Sequence, residues 1–261
     1  MFLLTKTASW RINMFRLLKA LPLALAVAAL SSVATSCGSG SARVRVVNAI
    51  PDNGSQGAIA LDIDINGTKD FPSVAFDTVY PTQTTPASYV SVPSGSDTII
   101  AYDAGTTTNP VVNSNTASLG GSTQYTMLLG GFSAHSPQPY LITDTNTVPT
   151  AGNLEIRVIN GSAVSAQYGG IDVYVYQNGL QPPTTPQISG LNLGQGSSYL
   201  SLTYESNYCI DFYLHGTGTK YTGCFAQGGS STAGQITTLV IVDLPGGGAI
   251  SPTPLEMVDL N

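Results

Sequence analysis

Beyond residue 40 the chain is built from short stretches of strict apolar–polar alternation. Leu61, Ile63 and Ile65 alternate with Asp62 and Asp64, and Ile171, Val173 and Val175 alternate with Asp172, Tyr174 and Tyr176. Ile210, Phe212 and Leu214 alternate in the same way with Cys209, Asp211 and Tyr213. A period of two places each apolar set on one face of a strand and its partners on the other. Gly, Pro, Asn and Asp separate these stretches, and no stretch after the leader has the periodicity of an amphipathic helix. About seven such strands in roughly 105 residues predict a β-sandwich large enough for its own core.

The pattern occurs twice. RVRVVNA at Arg43 returns as EIRVING at Glu155, and LDIDINGT at Leu61 as IDVYVYQNG at Ile171. YVSVPSG at Tyr89, AYDAGT at Ala101, YTMLLGG at Tyr125 and PYLITD at Pro139 return at Tyr199, Phe212, Thr237 and Pro254. All six blocks keep their order with offsets of 110 to 115 residues. Collinear recurrence of this kind is the mark of a duplicated unit. The expected fold is therefore all-β, with two tandem antiparallel β-sandwich domains of immunoglobulin or transthyretin type. The first spans 43–147 and the second 153–261, joined by a Pro/Gly linker at 148–152.

The N-terminal segment has a different grammar. Arg16 and Lys19 precede an apolar run from Ala20 to Leu30, and small residues lead from Ser31 to Cys37. This is the order of a secretion signal, and its apolar core is too short to span a bilayer. Ala34-Thr35-Ser36-Cys37 resembles the lipobox of bacterial lipoproteins, in which the cysteine becomes the lipid-bearing first residue. The signal is assigned to 1–36, with Met14 as the expected start, and residues 37–42 form a lipidated linker. Gly38 rather than Asp follows the cysteine, which resembles signals directed to the outer membrane. The alternative is ordinary cleavage nearby, leaving Cys37 as a free thiol.

RVVNAIPD (Arg45–Asp52), LDIDINGTK and IDVYVYQNG together resemble a bacterial family of exported tandem-repeat domains of unknown function, which opens R-V-V-H-A-S-P-D and continues V-D-V-Y-V-N-G. The resemblance implies an exported β-sandwich and no reaction. Asn48 stands where the family has histidine, and the second copy reads Asn160-Gly161-Ser162-Ala163 in place of the Pro-Asp opening.

Charge narrows the partners. Downstream of Cys37 there are five basic residues, Arg43, Arg45, Lys69, Arg157 and Lys220, against fifteen acidic ones, a net charge of −10. Such a chain repels phosphate backbones, so nucleic acid is excluded as a partner. The remaining partners are the membrane, through the lipid, and a protein or glycan at the cell surface.

No constellation of residues points to catalysis, a metal or a cofactor. The two histidines, His135 and His215, lack a G-x-S-x-G or nucleophile neighbour and read as loop residues. Asp62 and Asp64 share a strand face near Asp52-Asn53-Gly54, but calcium wants six to eight oxygens and the loop motif is missing. Gly228-Gly229 and Gly246–Gly248 lack the G-K-[ST] of a phosphate loop. The expectation is a non-enzyme.

Two features remain. With Cys37 lipidated, Cys209 and Cys224 form an even pair in an oxidising compartment. Folding the chain about His215–Gly218 sets Tyr213 opposite Lys220, Phe212 opposite Tyr221, Asp211 opposite Thr222 and Cys209 opposite Cys224, a register that also predicts their disulfide. The second feature is tyrosine. Eight of thirteen fall in the second repeat, and Tyr174, Tyr176 and Tyr213 sit at outward positions. They serve either to stack on a sugar or protein partner, or to cover the sheet and pack against the first repeat. The function expected is a lipid-anchored envelope module for binding or support, with glycan binding through these tyrosines as the alternative.

Overall fold

The computed structural model describes residues 40–52, 59–82, 87–132, 137–204, 207–221, 223–227 and 232–260. The expected leader, Cys37, Asn53, Gly54, His135, Thr222 and the Gly228-Gly229 pair lie outside the described residues.

Seventeen strands and one short helix make up the regular structure of the described residues. The first half contains β1 (Ser41–Asn48), β2 (Leu61–Ile65), β3 (Thr68–Val74), β4 (Thr78–Tyr80) and β5 (Val90–Pro93). It continues with β6 (Gly95–Asp103), β7 (Val112–Leu119), β8 (Gln124–Gly130) and β9 (Gln138–Asp144). The second half contains β10 (Asn153–Asn160), α1 (Ala163–Ala166), β11 (Ile171–Gln177), β12 (Ile188–Leu191) and β13 (Leu200–Thr203). β14 (Tyr208–Leu214), β15 (Phe225–Gln227), β16 (Ile236–Ile241) and β17 (Leu255–Leu260) complete it.

Each half is a two-sheet sandwich. One sheet of the first half has the order β4-β1-β8-β9, with β5 also on β1, and the other has β3-β2-β6-β7. The second half repeats this plan as β13-β10-β16-β17 and β12-β11-β14-β15. Pairing is antiparallel except for β1 with β8 and β10 with β16, which run parallel in the middle of their sheets. The strict alternation expected of an antiparallel sandwich is therefore replaced, at the end of β1 and β10, by unbroken burial from Val44 and Ile156 onward. Strands covered on both faces read as continuous apolar runs.

Three apolar clusters account for this burial. Val44, Val46, Met127 and Leu129 pack with Leu61, Ile63, Phe71 and Ile99 inside the first sandwich. Ile156, Val158, Leu239 and Ile241 pack with Ile171, Val173, Ile210 and Phe212 inside the second. Val47, Ala49 and Leu128 meet Ile159, Val240, Val242 and Met257 in a third cluster. The sheets that carry β1 and β10 thus lie back to back, and the other two sheets lie outside them.

The contact between the halves also holds four charges with little or no exposure. Arg45 Nη1 donates to Asp259 Oδ1 at 2.5 Å, and Arg157 Nη2 donates to Asp144 Oδ1 at 2.6 Å. Each arginine pairs with the aspartate of the other half. Thr126 and Thr238 hydroxyls receive Arg45 Nε and Arg157 Nε and donate to Asp144 and Asp259. The Tyr89 ring lies 5.5 Å from the Arg45 guanidinium, and Tyr199 lies 4.9 Å from that of Arg157. Every member has its counterpart 110 to 115 residues along the chain. Burial alone would lower the pKa of Arg45, but Asp259 and Asp144 outweigh it and raise it, so the guanidinium stays charged.

Asn48, in the R-V-V-N opening, is structural. Asn48 is fully buried; its amide donates to Ile59 O and Val74 O, and its Oδ1 accepts from Ile50 N–H. Asn160 repeats the suture with Leu191 O, Ser165 Oγ and Ser162 N–H. The helix absent from the sequence reading is a single turn, α1, capped by Ser162 and by Asp243, which accepts from Ala163 and Val164 N–H.

Candidate functional site

β11 and β14 pair so that Asp172 faces Tyr213, Tyr174 faces Asp211 and Tyr176 faces Cys209. All six belong to the outward face of their sheet, because Ile171, Val173, Val175, Ile210 and Phe212 fill the core on the other side. The register therefore brings the three predicted tyrosines around one carboxylate.

Asp211 is fully buried although it occupies an outward position. Its Oδ2 accepts from Lys220 Nζ at 2.7 Å and from Tyr176 Oη at 2.9 Å, while Oδ1 is enclosed without a hydrogen-bond partner among the described residues. Tyr174 and Tyr213 meet edge to face, their ring centroids 4.9 Å apart. That geometry suits the quadrupoles of aromatic rings. Burial, together with the hydrogen bond to Asp211, pushes the Tyr176 phenol up to about 12. Tyr174, Tyr176 and Tyr213 are each half-buried at these outward positions, beside the buried Asp211.

Among the described residues the first half has no such cluster. At the matching positions Asp64 faces Ile100, and only Tyr102, opposite Asp62, has an aromatic counterpart in Tyr213.

The disulfide is present, with Cα atoms of Cys209 and Cys224 4.6 Å apart. Its predicted register holds only near the turn. Tyr213 bridges Lys220, and the Phe212 and Tyr221 rings stack at 6.3 Å. Further along, Cys209 is opposite Ala226 and Ile210 opposite Phe225, a slip of two residues from the expected pairing. The chain between Tyr221 and Phe225 absorbs the slip, and Cys224 reaches Cys209 diagonally. Cys209 is buried.

Beside the tyrosines, Asp172 accepts from His215 Nδ1 at 2.8 Å, Ser189 Oγ at 2.9 Å and Gly190 N–H at 2.8 Å. Burial would raise its pKa, but these bonds outweigh burial and hold it below the ordinary carboxylate value. Ser189 and His215 both bind the carboxylate, so the three do not form a Ser-His-Asp relay. Asp62, the counterpart of Asp172, accepts from Lys69 Nζ, Ser73 N–H and Gly105 N–H. Those three donors engage both oxygens of Asp62. Both aspartates pin loops to the outer sheets.

A second concavity lies at the edge of the contact between the halves. This cleft of about 640 Å³ is walled by Arg43, Tyr89, Gln124 and Asn146, with Asp144 and Asp259 at its base. No motif marked these residues in the sequence; the recurrence of Tyr89 as Tyr199 was the available signal.

No curated protein matches the chain. Among solved structures, the family 26 carbohydrate-binding module CBMbc of Amy13K from Eubacterium rectale, in complex with maltoheptaose, is 15% identical over 82% of this chain and 97% of its own, with a TM-score of 0.23. Residues 42–174, about half of the chain, match the family described as "Domain of unknown function (DUF4397)". The double sandwich with its R-V-V-N opening therefore belongs to the DUF4397 family.

Proposed function

We propose that the mature chain is a non-catalytic binding module of the bacterial envelope, anchored by lipid on Cys37, that engages a glycan through the outer face of β11 and β14. One observation carries this reading: Tyr174, Tyr176 and Tyr213 converge on the buried Asp211 in the second half alone. A sugar ring offers C–H faces to aromatic side chains and hydroxyls to polar groups. Here the tyrosines supply the former, and Lys220 and His215, each partly exposed, supply the latter. The disulfide holds the loop bearing Lys220 against the strand, which lowers the ordering cost of binding.

The test is a glycan array with the Cys37→Ser chain, followed by calorimetry on the best ligand. Tyr174→Ala and Tyr213→Ala are expected to weaken binding by about tenfold or more each, the scale of one lost aromatic contact. Equal binding by wild type and both variants would refute the assignment of this face. Lipidation is checked separately by intact mass and membrane fractionation, with Cys37→Ser expected to become soluble.

A further inference from the structure

We infer that the cleft beside Tyr89 is a second, independent binding site, for a sugar carrying a carboxylate. The argument begins with charge. Of the five basic residues downstream of Cys37, four are paired: Arg45 and Arg157 in the contact between the halves, Lys69 with Asp62, and Lys220 with Asp211. Arg43 is exposed and forms no ion pair among the described residues. In a chain with fifteen acidic residues, a cation left unpaired at the wall of a cleft is the exception.

It rests on an aromatic ring. The Arg43 guanidinium lies over the Tyr89 ring, 5.4 Å from the centroid, and the buried Arg45 lies over the same ring at 5.5 Å. Tyr89 is itself held, donating from Oη to Asp144 Oδ2 and accepting there from Asn146 Nδ2. A guanidinium resting on an aromatic ring keeps its in-plane N–H donors free for a carboxylate fork.

The rest of the wall suits hydroxyls. Ser122, Thr123 and Gln124 line it with neutral polar side chains, and Asn146 Oδ1 is enclosed without a donor among the described residues. Asp144 and Asp259 border the cleft, but Arg45 and Arg157 neutralise them. An anion therefore meets one uncompensated positive charge. Ala87 and Leu260 are the apolar part of the lining, which leaves little to hold a peptide's side chains. The volume, about 640 Å³, falls in the range of small-molecule sites, ~300–1,000 Å³.

The experiment titrates the Cys37→Ser chain with digalacturonic acid, neutral digalactose and the dipeptide Ala-Ala, read by calorimetry and by amide shifts of Ser122, Thr123 and Gln124. Digalacturonic acid is expected to bind about tenfold or more tighter than digalactose, the worth of one charged hydrogen-bonding pair. Arg43→Gln should abolish that preference, and Arg43→Lys should restore only part of it because ammonium offers no fork. Arg43 is exposed, so both variants keep the fold, as circular dichroism will show. Binding of the two sugars with equal affinity, tighter binding of Ala-Ala, or no binding at all would overturn the proposal. So would acidic-sugar binding that is lost in Tyr174→Ala and kept in Arg43→Gln, an outcome that leaves the tyrosine face standing as the site.

Discussion

Replacing Arg45 by methionine tests whether the buried charges bind the halves together. The substitution keeps much of the side-chain volume and removes one of two cations. Asp259 then loses its partner at 2.5 Å and keeps, on its other oxygen, the Thr238 hydroxyl and Arg157 Nη2, the latter 3.7 Å away. Thr126 loses the Nε donor at 2.8 Å as well. Arg45 and Asp259 are inaccessible to water at their side chains, so no solvent replaces what is lost. Breaking a buried pair from one side costs about 3–5 kcal/mol. For a chain of this size that corresponds to a fall in Tm of roughly 6–20 °C. The second variant, Arg45→Met with Asp259→Leu, removes the whole crossing pair and leaves no orphaned charge. It should lie closer to wild type than the sum of its two single substitutions, by about 0.5–3 kcal/mol of coupling. Urea unfolding followed by circular dichroism is the assay, since the one tryptophan, Trp10, lies in the expected leader. A cost below about 1 kcal/mol for Arg45→Met, or strict additivity in the double variant, would show that the network contributes nothing beyond its packing.

Fragments 43–147 and 153–261 each retain a core of their own and should fold by circular dichroism, but each is expected to melt below the full chain because it exposes half of the charged contact and of the third apolar cluster. Unfolded fragments beside a folded full chain would refute the idea of two cores. Cys209→Ser with Cys224→Ser should destabilise the chain by about 3 kcal/mol, the chain-entropy value for a 15-residue loop, and unchanged urea midpoints would contradict it. The same double variant should weaken glycan binding at the tyrosine face if the tied loop presents Lys220.

Much of this architecture is legible in the sequence because period-two alternation and duplication are local or self-referential signals. Leu61, Ile63 and Ile65 do face the core, and Ile210 and Phe212 do so in the second half. What misleads is the meaning of "outward". Arg43 and Arg45 occupy the same face of β1 by parity, yet one is exposed and the other fully buried, because the second sandwich covers only part of that face. Strand pattern reports which side a residue is on, not what lies beyond it. Asp211 repeats the lesson: its side of β14 is polar by pattern and sealed by Tyr176 and Lys220 in fact. The slipped register around Cys224 escaped because pairing arguments assume an unbroken ladder, and the chain leaves the ladder between Tyr221 and Phe225.

The crossed pairing of Arg45 with Asp259 and Arg157 with Asp144 has the form of an isologous interface, the kind two identical subunits make about a two-fold axis. One repeat's worth of sequence, a single Arg, Thr and Asp on one sheet face, suffices to specify it. Carried on separate chains, such a contact would depend on concentration; carried twice on one chain, it forms at the effective concentration set by a short linker. Symmetry then constrains only the faces that touch. The outer sheets are released from it, and there the halves diverge, with Asp64 and Ile100 on one side and Tyr174 and Asp211 on the other.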